Sequence, residues 1–128
     1  MKHRALRDFE VAVDVSGSTP GEGQKYDTPC IMSFEIENTG AQALTSLILQ
    51  VKNHPDADWF DYLTDTELTD ADKGLYYVAP AASVPHTLAA GATINLGIML
   101  LSGCQFRWKA TCASSTPTLA FKGNIQVQ

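Results

Sequence analysis

The sequence predicts an all-β fold, an antiparallel two-sheet β-sandwich, and three observations predict it. Apolar and polar residues alternate through most of the chain, the period-two signature of strands with one buried face. Helical periodicity is nearly absent, which leaves out the alternating strand and helix units of a parallel sheet. With 128 residues, 45% hydrophobic and 18% charged, the chain has material for one core, so residues 1–128 read as a single domain. About six or seven short strands joined by polar turns suit two sheets that cover each other's apolar faces. A closed barrel is the alternative, disfavoured by one long unpaired loop and uneven strand spacing.

Residues 1–8 read as a basic arm, because Lys2, His3, Arg4 and Arg7 precede the first acid, Asp8. Phe9, Val11, Val13 and Val15 then alternate with polar or small neighbours as a first strand. Ser16 to Pro29 holds three of the nine glycines and two of the six prolines, a loop composition. Cys30, Met32, Phe34 and Ile36 point one way and Ser33, Glu35 and Glu37 the other. Asn38-Thr39-Gly40 is a turn, since Asn and Gly tolerate the positive φ of a tight reversal, and Leu47, Leu49 and Val51 carry the returning strand.

Alternation stops at Lys52, and one short helical or irregular insertion is expected near residues 54–72. Pro55 suits a first helical position, Asp56 and Asp58 suit the positive end, and Phe60 with Leu63 could face the core. Leu75 to Val78 is a brief strand. After the turn Leu88-Ala89-Ala90-Gly91, three strands bury Ile94, Leu96, Ile98 and Leu100, then Phe106, Trp108, Ala110 and Cys112, then Leu119, Phe121, Ile125 and Val127.

The net charge of −5 repels phosphate backbones, so no nucleic-acid partner is expected. Its distribution is uneven: seven acids and no Lys or Arg lie between Asn53 and Asp72, leaving seven acids against nine bases elsewhere. No apolar run reaches the roughly 18 residues of a membrane span, so no membrane partner is expected. The polar start lacks the apolar core of a secretory signal, and the expected site of synthesis is the cytoplasm. Cys30, Cys104 and Cys112 read as small buried or half-buried thiols, with a cross-hairpin Cys104–Cys112 pair as the alternative.

Asp56, Asp58 and Glu67 occupy positions 1, 3 and 12 of a twelve-residue Ca²⁺ loop, but Phe60 and Asp61 stand where a ligand and a glycine are needed. Asp56, Asp58, Asp61 and Glu67 therefore read as an acidic surface and only a weak Ca²⁺ candidate, with no metal or cofactor expected. The same stretch is a possible contact for a basic partner. His3, His54 and His86 lie in the arm and in loops without a metal-ligand spacing. His54 beside Asp56 reads as a surface residue rather than a general base. Gly21-Glu22-Gly23 lacks the third glycine of a phosphate-binding loop, and no nucleophile–base set can be assembled, so no enzyme is expected. Trp59, Tyr62, Tyr76 and Tyr77 could form a stacking platform for a sugar, whereas Trp108 alternates in phase with the core.

Phe34-Glu35-Ile36-Glu37-Asn38-Thr39-Gly40 and Leu88-Ala89-Ala90-Gly91-Ala92 resemble patterns of immunoglobulin-like domains in cell-surface and viral proteins. Gln105 to Thr111, then Ser114 to Leu119 and Gly123, resembles the final hairpin of small β-sandwich proteins of tailed bacteriophages. The resemblance covers roughly residues 30–51 and 88–127, and the acidic stretch 53–74 departs from it. It implies an Ig-like, non-enzymatic virion protein, a capsid decoration (cement) protein that binds across capsid subunits. The implied partners are the major capsid protein or other virion subunits and, in a homo-oligomer such as a trimer, further copies of itself. On this reading Lys2, Arg4 and Arg7 contact the capsid or a neighbouring subunit. The competing reading is a carbohydrate- or Ca²⁺-binding β-sandwich module.

Overall fold

A computed structural model describes residues 2–14, 24–25, 30–64, 76–78, 85–100, 103–114 and 117–127, of which 2–14, 24–25, 76–78, 85 and 124–127 are described by backbone path alone. Nine strands lie in these residues: β1 (Lys2–Asp14), β2 (Gln24–Lys25), β3 (Cys30–Asn38), β4 (Leu44–Lys52), β5 (Phe60–Leu63), β6 (Tyr76–Val78), β7 (Thr93–Leu100), β8 (Gln105–Cys112) and β9 (Thr118–Val127). A single 3-10 turn, Pro85–Thr87, is the helical content among them. The strands form two antiparallel sheets, ordered β1-β9-β3-β7-β6 and β2-β8-β4-β5. The all-β two-sheet sandwich is thus what the chain builds.

Alternation explains the core. Met32, Phe34 and Ile36 of β3, Ile94, Leu96, Ile98 and Leu100 of β7, and Leu119 and Phe121 of β9 are buried from the five-stranded sheet. Leu47, Leu49 and Val51 of β4 with Phe106, Trp108 and Ala110 of β8 meet them from the other. Each fully buried chain of this size contributes about 1.5–3 kcal/mol relative to exposure. One-residue slips would turn these sets outward, so the burial pattern also fixes the register.

The strand order is not that of an immunoglobulin domain. There the last strand pairs with the one before it; here β9 pairs with β1 and β3 and lies in the sheet opposite β8. The β8–β9 segment crosses the sandwich and is not a hairpin. The β3–β4 connection crosses likewise. Setting aside β6, an extra three-residue strand beside β7, the eight remaining strands follow the two interleaved Greek keys of a jelly roll.

Several local expectations change. Residues 2–8 of the expected arm are the first part of β1, with Lys2 opposite Val127 and Arg4 opposite Ile125. Register shifts between Leu6 and Val11, so Phe9 falls in a bulge instead of the alternating set. Within the predicted 16–29 loop, Gln24 and Lys25 pair with Phe106 and Gln105. Gly40 does not take a positive φ; the described glycines that do are Gly91 and Gly103. Gly91 does so within the Leu88–Ala92 turn, which Ala92 N closes by donating to Ala89 O at 3.0 Å.

No helix forms at 55–63. His54 to Ala57 is a β-turn closed by Ala57 N donating to His54 O (3.0 Å), with Pro55 at the position its fixed φ favours. Phe60–Leu63 then pairs with β4. A helix this short is marginal in water, whereas aromatic and branched residues beside an open strand edge gain a full set of partners. The register shift at Tyr62 brings Leu63 opposite Leu49 in the core, while Phe60 stays 39% exposed.

Gly123 is set by space. It pairs with Phe34, and a Cβ built on it would lie 2.9 Å from Phe34 Cδ1 and 3.2 Å from Ser33 O. Phe34 cannot retreat, because its ring packs edge-on against Phe106 (5.6 Å) and Trp108 (5.4 Å). We expect Gly123→Ala to lower the unfolding free energy by about 1–3 kcal/mol; a urea midpoint equal to the parent's would refute this packing account.

Candidate functional site

The outer face of the four-stranded sheet gathers polar chemistry. Gln50 of β4 lies opposite Arg107 of β8, and Ile48 opposite Lys109. Because Leu49, Val51, Phe106 and Trp108 take the inner face, Gln50, Lys52, Arg107 and Lys109 are left to the outer one. Trp59, half-buried just before β5, covers this patch. Its ring centre is 4.3 Å from Arg107 Cζ and 5.1 Å from Lys52 Nζ.

One amide organises the patch. Arg107 Nε donates to Gln50 Oε1 at 2.8 Å, and Gln50 Nε2 donates to Asp61 Oδ1 at 2.7 Å. A guanidinium has only donors and a carboxylate only acceptors, so the Gln50 side chain has one workable orientation. Gln50 is buried although it points away from the core. Desolvation by burial holds the Arg107 pKa below its ordinary value, yet a guanidinium stays charged at any pH of interest. Among the described residues, Lys52, Arg107 and Lys109 have no carboxylate within 4.0 Å. The result is a guanidinium held by an amide and a ring, with no ion pair to a carboxylate among the described residues. That arrangement suits fork-like recognition of a carboxylate or phosphate.

The residues singled out from sequence are dispersed. Lys2, Arg4 and Arg7 lie on β1, at the edge of the other sheet. Asp56 and Asp58 are exposed on the 53–59 connection. Asp61 is engaged by Gln50, and Glu67 lies outside the described residues. Among the described residues no three His, Cys, Asp or Glu side chains group as metal ligands. His54 Nδ1 accepts from Asp56 N at 3.1 Å, so this imidazole helps shape the turn.

Of the four aromatics, the side chains of Trp59 and Tyr62 are described and those of Tyr76 and Tyr77 lie outside the description. Trp59 carries two cations, and Tyr62 OH donates across to Met99 O of β7 at 3.2 Å. Tyr76 and Tyr77 belong to β6 in the opposite sheet. Cys104 and Cys112 stand at the two ends of β8, on the order of 25 Å apart at the strand rise, far beyond the roughly 7 Å a disulfide allows. None of the three cysteines is in a disulfide.

Alternation correctly turned Arg107 and Lys109 outward. Gln50 and Trp59 were missed as partners of Arg107. The available signal was a glutamine at an outward position of the otherwise apolar run Leu47–Val51, and it becomes readable only when β4 is paired with β8. Comparisons with protein-family models, curated proteins and solved structures each find no match.

Proposed function

We propose that the protein is a non-enzymatic structural component of a tailed-phage virion, a decoration protein that stabilises the head by binding across capsid subunits. One observation carries the reading. β1 is a thirteen-residue strand at the edge of a five-stranded sheet, and Lys2, His3, Arg4 and Arg7 all lie in its first half. An edge strand offers a row of backbone donors and acceptors, and like charges along it keep two such edges from pairing with each other. The same charges favour an acidic strand or rim on another protein. The jelly-roll order agrees by analogy, since it recurs in viral shell domains. Repetition of a modest contact over many equivalent capsid positions adds stability without chemistry.

Jelly rolls recur in lectins as well, which keeps a carbohydrate- or Ca²⁺-binding module as the competing reading. The two separate cleanly. Purified protein added to undecorated heads should co-sediment with them, and Lys2→Glu, Arg4→Glu and Arg7→Glu together should weaken occupancy about tenfold or more with an unchanged Tm. Unaltered occupancy removes β1 as the contact. A ligand for a true module stabilises it as RT ln(1 + [L]/Kd). A Tm that climbs with sugar or Ca²⁺, in protein that ignores heads, would replace the decoration reading.

A further inference from the structure

We infer that the outer face of the four-stranded sheet is a carboxylate receptor whose occupant is the Asp56–Asp58 loop of a second copy of this chain, the two copies pairing about a two-fold axis. This inference is independent of any capsid contact made through β1, which lies in the opposite sheet.

Lys52, Arg107 and Lys109 put three positive charges on one face of a chain whose net charge is −5, with Asp61 as the acid drawn into their network. None of the three is ion-paired among the described residues. Arg107 is the fixed point. With Nε given to Gln50 and its plane over Trp59, it has lost much of the side-chain freedom that ordinarily opposes ion-pair formation. Such a group is prepared for a two-pronged contact with a carboxylate.

The occupant follows from what adjoins the receptor. The 53–59 connection borders it directly: Lys52 Nζ donates to Pro55 O at 3.4 Å, and Trp59 from the same connection caps Arg107. Asp56 and Asp58 project from this connection into solvent, and among the described residues neither carboxylate is paired with a Lys or Arg. A two-fold contact is self-complementary, so one made by ion pairs needs both signs of charge side by side on the same surface. Rotation about the axis then lays each acidic loop on the other copy's Arg107 and satisfies both at once. A foreign acidic partner would neutralise the cations and leave Asp56 and Asp58 facing its own acids.

Sedimentation velocity on the purified full chain tests this. At about 0.02 M salt a dimer is expected in the micromolar range, weakening steadily towards about 0.5 M as the charges are screened. Arg107→Gln with Lys109→Gln should raise Kd about tenfold or more, and Asp56→Asn with Asp58→Asn should do the same. The second pair of substitutions lies in an exposed loop, and matching Tm values verify that both variants fold. An equimolar mixture of the two should associate more tightly than either alone, because one of the two reciprocal contacts survives in the mixed dimer. A monomer at every concentration, association indifferent to salt, or a mixture no tighter than its components would overturn the proposal. So would a monomeric parent whose Arg107 is instead occupied by added polyglutamate.

Discussion

Replacing Trp108 by alanine is expected to lower the unfolding free energy by about 3–5 kcal/mol, a large part of the roughly 5–15 kcal/mol that holds a domain of this size together. Trp108 rises from the four-stranded sheet and is 3% exposed. Its ring meets Phe34 edge-on (centroids 5.4 Å apart, planes at 87°) and stacks on Phe121 at 6.0 Å. Both neighbours belong to the five-stranded sheet, so this one side chain joins the two layers at their middle. Interiors are close-packed, and strands pinned by hydrogen bonds on each side cannot collapse into the vacated space. Trp108→Phe separates packing from polarity. Trp108 Nε1 is buried without a hydrogen-bond partner among the described residues, so phenylalanine removes an unsatisfied donor while leaving a smaller void. The two effects oppose each other, and the phenylalanine variant should lose less than about 1.5 kcal/mol. Urea unfolding followed by circular dichroism reads both. A loss below about 1 kcal/mol for Trp108→Ala, with the urea dependence unchanged, would mean that the sheets are not joined through this ring.

What the sequence made legible was the inside. Strands β3, β4, β7 and β8 could be read because burial on one face imposes period two, and each predicted inward residue of β3 and β7 is buried. The order of the strands within the sheets was not legible. Alternation says which face a residue takes and nothing about its neighbour, so β8 and β9 read as a hairpin although the chain crosses the sandwich between them. The 54–63 segment misled for a different reason. Proline followed by acids suits a helix start and equally suits the β-turn that His54 to Ala57 makes; the open edge of β4 decides between them, and that edge is a tertiary fact.

The outer patch was the least readable. Arg107 and Lys109 showed their orientation, but the contact that holds Arg107 joins residues 50 and 107, and the ring that covers it comes from position 59. Each is unremarkable in its own stretch of sequence. Trp59 in particular sits among acids, where the local reading was a solvated acidic surface with an aromatic at hand. The basic N-terminal residues were visible as charge and wrongly drawn as an arm. Whether they pair depended on β9, over a hundred residues away.

Asn38→Ala should be the second most damaging change, costing about 2–4 kcal/mol, since truncation removes three hydrogen bonds to the backbone at a buried position. Asn38 is 1% exposed at the end of β3, where the chain leaves one sheet for the other. Its Nδ2 donates to Gln42 O (2.7 Å) and to Leu88 O (3.0 Å), and its Oδ1 accepts from Gly40 N (3.0 Å). Its backbone N donates to Ala92 O at 3.0 Å, and its backbone O accepts from Gly91 N at 2.7 Å. One residue therefore ties the crossover loop to the turn before β7. Gly40 is small for the same reason, because a Cβ there would stand 3.3 Å from Asn38 Oδ1. Asn38→Asp gives the sharper test, through its pH dependence. The new carboxylate keeps the acceptor for Gly40 but turns an oxygen towards two carbonyls, so the fold favours its protonated form and raises its pKa above the unfolded value of about 3.9. Between those two pKa values the native state binds more protons than the unfolded state, and stability falls as pH rises through that window. This variant should accordingly gain stability relative to the parent on acidification from neutral pH towards 4, measured as urea midpoints of both proteins side by side. A difference that stays constant with pH would show that residue 38 does not face those carbonyls.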